Sequence, residues 1–203
     1  MRARRSPESR LEPPRALEGW DAVPVAAPLA DAAEAARIRR SWTSIRVPSH
    51  WQLEDAFAAY EGLVLYRCRF AWRSDEQEMM FALRFGGVYY SARVWLNGTY
   101  LGGHEGYLSP FELDVTDLLV AGENELLVEV HSPEEREENE RATIGGVWAR
   151  WDGLGPHINP GGIFRAVELL SSGEVRIRSL GAAVDGSGYG RAHVEMYARR
   201  GVL

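Results

Sequence analysis

The sequence reads Arg93-Val94-Trp95-Leu96-Asn97-Gly98-Thr99-Tyr100-Leu101 near its middle, with an Asn-Gly pair between two apolar runs. Asn-Gly is favoured in the two-residue turns that join antiparallel strands, because both residues tolerate a positive φ. A glycine-rich segment follows, and apolar residues then alternate again at Phe111, Leu113 and Val115. This stretch therefore predicts a hairpin, a glycine loop and a half-buried strand in succession.

The same period of two extends to both sides of this stretch. Charged residues such as Arg67 and Arg69 alternate with apolar ones, as expected of strands with one solvated face. The apolar positions are Tyr66, Cys68, Phe70 and Trp72; Met79, Phe81, Leu83 and Phe85; Tyr90, Ala92, Val94 and Leu96; Leu126, Val128 and Val130; and Ile163, Arg165, Val167 and Leu169, where an arginine interrupts the inner face. Because no helix-length spacer separates these runs, the sequence predicts an all-β sandwich or jelly roll.

Three regions differ in pattern. Residues 1–41 are rich in Pro, Arg and Ala and predict an irregular arm up to residue 30, followed by a short helix over residues 32–40 that Asp31 caps. Residues 42–172 contain the alternating runs and predict the sandwich domain. Residues 173–203 begin two further strands, which cannot close a sheet alone, so they predict the start of a truncated second β module in a piece of a longer protein.

Composition bounds the class of protein. The 203 residues suffice to bury a core without disulfides or metals. A net charge of -6 with interspersed signs disfavours nucleic acid and anionic membranes as partners. No stretch is apolar over the length of a signal peptide or a membrane span, so a cytoplasmic location is the default expectation.

The sequence predicts neither a transition-metal site nor a cofactor, and it leaves open whether loop carbonyls bind a structural Ca²⁺. Its single cysteine, Cys68, lies on the apolar side of a strand, which favours a buried, reduced thiol over a nucleophile. The histidines show no metal-ligand spacing; they are His50, His104, His131, His157 and His193. Dinucleotide, P-loop and nucleophile-elbow motifs are also missing from the sequence.

Residues 132–161 form a long segment without a clean period, flanked by Gly and Pro. Long ordered loops between strands commonly carry binding residues. This segment contains Trp148, Trp151 and Asp152, so a flat apolar face lies next to a carboxylate that can accept two hydroxyl groups. We therefore predict Asp152 and Trp151 as substrate-binding residues for a sugar; the alternative for Asp152 is a loop carboxylate that caps backbone amides.

Several motifs, in order along the chain, resemble the amino-terminal sugar-binding domain of glycoside hydrolase family 2, which contains β-galactosidases, β-glucuronidases and β-mannosidases. They are Val47-Pro48-Ser49-His50-Trp51-Gln52, Tyr60-Glu61-Gly62 with Tyr66-Arg67, the turn at residues 116–124, Trp151-Asp152-Gly153-Leu154-Gly155-Pro156 and Gly161-Gly162-Ile163-Phe164-Arg165. The resemblance implies a galactose-binding-like jelly roll at residues 42–172, followed by the first strands of an immunoglobulin-like domain.

The resemblance also implies a function. In this family an Asp ahead of the Gly-Ile-(Phe/Trp)-Arg signature reaches into the active site and holds glycone hydroxyls, and Asp152 matches it. The β-mannosidase version has one Trp where this chain has Gly153-Leu154, so the motif does not select that subtype. The catalytic glutamates of the family lie in a downstream (β/α)8 barrel. The resemblance thus implies an accessory domain of a retaining exo-β-glycosidase with no catalytic residue of its own, inactive alone, with the glycone and the oligomeric state open.

Three alternatives remain at this stage. Arg165 could bind a carboxylated sugar, although an inward strand position favours an internal structural partner. The chain could be a stand-alone, lectin-like carbohydrate-binding module, which would bind sugar without a catalytic partner. It could also be a purely structural or dimer-forming domain, in which Asp152 would have no effect on kinetics.

Overall fold

The computed structural model describes residues 13–38, 41–58, 60, 62–73, 79–132 and 160–198. These residues form one short α-helix, α1 (Ala32–Ala35), and single 3-10 turns at Trp51–Leu53 and Asp55–Phe57. The strands are β1 (Arg15–Ala16), β2 (Trp20–Val25), β3 (Thr43–Ile45), β4 (Gly62–Trp72), β5 (Met80–Phe85), β6 (Ser91–Leu96), β7 (Thr99–Glu105), β8 (Phe111–Asp114), β9 (Gly122–Ser132), β10 (Val167–Ser172), β11 (Val175–Val184) and β12 (Gly190–Ala198). No helix among the described residues is long and apolar enough to cross a membrane.

The strands form three antiparallel sheets. A six-stranded sheet has the order β3-β2-β4-β9-β6-β7, a four-stranded sheet has the order β1-β10-β5-β8, and β11 pairs with β12. Side chains from both larger sheets share one hydrophobic core, in which Tyr66, Leu83 and Val128 are almost completely buried. The predicted all-β sandwich is confirmed, and the alternating residues of β4, β5, β6 and β9 lie on the core side as expected.

The prediction of an irregular chain up to residue 30 was wrong, because β2 lies inside the six-stranded sheet. It pairs with β3 through Trp20, Asp21 and Ala22, and with β4 along its whole length. Trp20 belongs to the central core, whereas Val23 packs in a second apolar cluster on the opposite face of the sheet. A strand covered on both faces lacks the apolar-polar alternation that identified its neighbours.

The chain after β2 covers the outer face of the six-stranded sheet. Leu29 and Ala35 pack there against residues of β4, β6 and β9. The Asp31 carboxylate accepts a hydrogen bond from the Glu34 amide at 3.1 Å, so the predicted cap is confirmed, although α1 ends at Ala35 instead of continuing to residue 40. Glu129, only 3% exposed, accepts hydrogen bonds from the Leu29 amide at 2.6 Å and from Arg93 at 3.0 Å.

Strand register gives the sandwich two distinct ends. At the first end, which we name the loop end, Gly62 of β4 lies opposite Ser132 of β9. At the second, the turn end, Trp72 lies opposite Gly122, and the hairpin turn after β6 lies on the same side. The segment between β9 and β10 therefore leaves from the loop end.

Two asparagines hold the turn end together. Asn97 and Gly98 occupy the hairpin turn with φ values of 49° and 83°, as the Asn-Gly pair predicted. The Asn97 side-chain amide donates to Asn124 Oδ1 at 2.8 Å. Asn124 is completely buried; its Oδ1 also accepts from the Val120 amide at 2.9 Å, and its Nδ2 donates to the Val120 carbonyl at 2.8 Å.

The β11–β12 hairpin confirms the two strands predicted after residue 173. Its apolar side chains are largely exposed, with Leu180 at 68%, Val184 at 73% and Tyr189 at 79%. Among the described residues, both strands pair only with each other. An isolated two-stranded sheet is marginal in water, so this hairpin depends on contacts beyond its own hydrogen bonds.

Replacing Asn124 by leucine should destabilise the protein by about 3 kcal/mol, because the polar groups of Val120 and Asn97 would lose their buried partner. Urea unfolding followed by tryptophan fluorescence measures this difference. Glu123→Gln, at the exposed neighbouring position, is the control and should change stability by less than about 0.5 kcal/mol. Equal effects of the two substitutions would contradict a structural role for Asn124.

Cys68 should not react with thiol reagents in the native protein. The thiol is buried and donates to the Glu18 carbonyl, and burial raises its pKa to about 12, so roughly one thiol in ten thousand is ionised at pH 8. Ellman's reagent should therefore label Cys68 only after guanidinium unfolding. Rapid labelling of the folded chain would show that this face of β4 is accessible.

Candidate functional site

The predicted substrate-binding residues, Asp152 and Trp151, lie outside the described residues, as does Trp148. They belong to residues 133–159, which we name the 133–159 segment. The structure describes the chain on both sides of it, up to Ser132 and again from Pro160. The site is therefore built from the groups that hold these two stems.

Both stems of the 133–159 segment are held by one pair of adjacent residues. On the first stem, the Tyr90 amide donates to the His131 carbonyl at 3.1 Å. On the second, Tyr89 and Gly162 exchange two backbone hydrogen bonds, of 2.9 and 3.1 Å. Because Tyr89 and Tyr90 are consecutive, the two stems lie close together at the loop end.

The second stem is also hydrogen-bonded to the Val47–Gln52 region and packed against it. The Trp51 amide donates to the Gly161 carbonyl and the Ser49 amide to the Ile163 carbonyl, each at 2.9 Å. The Trp51 indole is completely buried against the Gly161 backbone, where an added Cβ would lie 2.0 Å from Trp51 Cζ2. Gly162 adopts a φ of 125°, and a Cβ there would lie 3.0 Å from the Ser49 carbonyl oxygen. Only glycine fits at both positions.

His50 and Phe164 form an aromatic pair beside the contact between the second stem and the Val47–Gln52 region. Their rings stack with centroids 5.1 Å apart and planes within 10°. The His50 ring shares a hydrogen bond with the Pro160 carbonyl through Nδ1, and the Phe164 ring covers Gly87, where a Cβ would lie 2.7 Å from its Cζ atom. Sequence reasoning missed this pair; the signal was the position of both rings within the two quoted motifs.

Arg165 does not occupy the inner face that the alternating pattern predicted. Its side chain is exposed, and β10 begins two residues later at Val167. The Arg165 amide donates to the Gly87 carbonyl at 3.3 Å, and its Cβ lies over Gly86. The alternation is interrupted because the chain turns between Ile163, which is buried, and the start of the strand.

A further group of aromatic residues, Tyr89, Tyr90 and Tyr107, lies at the loop end. The Tyr89 and Tyr107 rings lie 5.4 Å apart, and the Tyr90 hydroxyl donates to Glu105 at 3.1 Å. Burial lowers the pKa of His131 below its ordinary value, and the charge of Glu129 partly opposes this shift. Tyr90 and Tyr107 are partly exposed, so their rings can contact a polyol, whereas Tyr89 is buried.

The described residues do not form a metal centre. Within the ranges that the structure covers, no three His, Cys, Asp or Glu side chains lie close enough together to hold a metal ion. The described residues of the loop end hold the two stems on the sandwich through backbone hydrogen bonds.

Comparison with known proteins identifies the class and then the family. Residues 42–165 match the family described as glycosyl hydrolase 2 galactose-binding domain-like. This match covers more than half of the chain, which therefore belongs to glycoside hydrolase family 2. The resemblance and the galactose-binding-like fold expected from the motifs are both confirmed.

Individual relatives are similar to this chain over a small share of their own length. A β-galactosidase of Priestia megaterium is 30% identical over 159 residues, covering 67% of this chain and 14% of that protein. A putative β-glucuronidase of Formosa agariphila is 30% identical over 94 residues, covering 44% of this chain and 11% of that protein. The solved Bifidobacterium dentium β-glucuronidase complexed with coumarin-3-O-glucuronide is 25% identical, with a TM-score of 0.65, covering 91% of this chain and 36% of that one.

Gly161→Ala should destabilise the protein by about 3 kcal/mol or more, because the new methyl group would overlap the buried Trp51 ring. Chemical unfolding measures the effect. Gly173→Ala is the matched control, since a Cβ there meets nothing within 4 Å, and it should change stability by less than about 0.5 kcal/mol. If Gly161→Ala were as stable as Gly173→Ala, the second stem would not be held by Trp51.

Proposed function

We propose that this chain is the amino-terminal part of a retaining exo-β-glycosidase, and that its sandwich forms one wall of the glycone pocket. Family membership and the names of the relatives support a β-glycoside as the substrate. The chain spans only 14% of the β-galactosidase it matches, so the catalytic carboxylates belong to the remainder of such a protein. The observation that carries the proposal is the fixing of both stems of the 133–159 segment by Tyr89 and Tyr90.

In this proposal, the two roles in hydrolysis are divided between parts of the protein. Retaining hydrolysis needs a nucleophile and an acid about 5 Å apart, which a downstream barrel supplies. The 133–159 segment supplies Asp152, whose carboxylate accepts glycone hydroxyls, and Trp151, whose ring stacks on the sugar. Fixed stems reduce the conformational entropy that the segment loses when substrate binds.

The domain limits complete the proposal. Residues 42–172, together with β2, form the sugar-binding sandwich, and residues 173–203 begin an immunoglobulin-like domain. The exposed apolar side chains of β11 and β12 support the second assignment, because further strands would cover them. The cytoplasmic location stays a prediction, which fractionation of source cells would test.

In the full-length enzyme, Asp152→Asn should lower kcat/KM for aryl β-glycosides by about 100-fold, because an amide replaces a carboxylate that accepts hydroxyl hydrogen bonds. Asp117→Asn is the matched control, since Asp117 is exposed at the turn end. A panel of β-galactoside, β-glucuronide and β-mannoside substrates identifies the glycone in the same experiment. Unchanged kinetics in Asp152→Asn would favour a purely structural domain.

The 203-residue chain alone should neither hydrolyse these substrates nor bind sugar measurably, because one wall supplies too few contacts. Isothermal titration with the glycone of the best substrate tests this expectation. Millimolar or tighter binding that Trp151→Ala abolishes would instead support a stand-alone, lectin-like module.

A further inference from the structure

The contact between the sandwich and the β11–β12 hairpin depends on few groups. Only Gly173 and Glu174 connect β10 to β11, and a Cβ at Gly173 would meet nothing within 4 Å. The covalent connection therefore does not by itself fix the angle between the two parts. Noncovalent contacts must set it.

Within the ranges that the structure describes, one ion pair joins the two parts. Arg176, near the start of β11, places its guanidinium 2.6 Å from the carboxylate of Glu112 on β8. The Arg176 and Glu112 side chains are 19% and 33% exposed, so water only partly screens the pair. The Arg176 guanidinium also lies 5.5 Å from the centre of the Tyr197 ring on β12, which restricts it from the other side.

The position of Arg176 explains why this ion pair can control the orientation of the β11–β12 hairpin relative to the sandwich. In the four-stranded sheet, β5 lies between β10 and β8, with Ser172 opposite Met80 and Ala82 opposite Asp114. Glu112 lies opposite Arg84, four residues along β5 from Met80, so the carboxylate that Arg176 reaches lies about 10 Å across the sheet and about 13 Å along it from the end of β10. A cation held that far from the connecting glycine resists rotation more effectively than a contact beside it.

Packing beneath this ion pair is incomplete. A cavity of about 50 Å³ lies there, lined by Met80, Phe81 and Ala82 of β5 and by Tyr197 of β12, among others. Close-packed side chains alone would fix the relative position of the two parts. Because a gap of this size weakens the packing, the ion pair supplies the directional contact.

We infer that Arg176, paired with Glu112, is a positioning residue that sets the orientation of the β11–β12 module relative to the sandwich. Within the proposed function, on which this consequence rests, the remainder of the enzyme continues from this module. The pair then sets the angle at which the loop end faces the catalytic part.

The chain offers a close control in Arg178. It lies on the same strand, its guanidinium is also 5.5 Å from the Tyr197 ring centre, and it also forms an ion pair, at 2.8 Å. Its partner, however, is Glu195 of the same hairpin, so removing its charge leaves the contact with the sandwich intact.

The test is a distance distribution in the 203-residue chain, measured by pulsed electron paramagnetic resonance. Nitroxide labels at Asp117→Cys and Arg191→Cys, both exposed, report on the sandwich and the hairpin, while buried Cys68 remains unlabelled. Arg176→Gln and Glu112→Gln should each widen the distribution by about two-fold, because domains without a firm interface move relative to each other. Arg178→Gln should leave the width unchanged.

Exchange of the two charges separates orientation from folding. The double variant Arg176→Glu with Glu112→Arg should restore the narrow distribution, because the pair reforms with reversed sign. A width that Arg176→Gln does not alter, or that the exchange does not restore, overturns the inference. Neither result bears on the proposed function, which the Asp152 kinetics test independently of this junction.

Discussion

The buried Trp51 ring packed against the Gly161 backbone is the contact on which the loop end depends. Backbone hydrogen bonds on either side of it, from Ser49 and Trp51, fix the second stem in register. Directly after Gly161, Gly162 pairs with Tyr89 and Ile163 is buried in the core. A contact between residues more than a hundred positions apart thereby fixes the position of the second stem on the sandwich.

Several residues in the quoted motifs have structural tasks that their chemistry alone would not suggest. Asn124 satisfies both backbone polar groups of Val120, His50 and Phe164 stack beside the second stem, and Gly162 adopts a backbone conformation that other residues avoid. Each of these residues stabilises the sandwich at a turn or at the second stem.

Most strands of the sandwich could be predicted because each has one solvated face, so apolar and polar residues alternate along its sequence. Sequence reasoning missed β2, where Trp20 and Val23 are buried on opposite faces, and it misplaced Arg165 by extending an alternation across a turn. The start of α1 was predictable from the local Asp31 cap, but its end was not. At the candidate site, Asp152 and Trp151 came from loop composition and resemblance, whereas the stems could not be found because their pairing is long-range.

The position of β2 has a practical consequence for anyone who trims this protein to the limits of its family match, which begins at residue 42. Such a fragment would lack β2 and the chain that follows it, leaving one side of the β4 backbone as an unprotected sheet edge. Leu65, Trp95 and Leu127 would lose their cover at the same time. An open edge beside an uncovered apolar face recruits other chains, so the shortened protein would aggregate where the longer one stays dispersed.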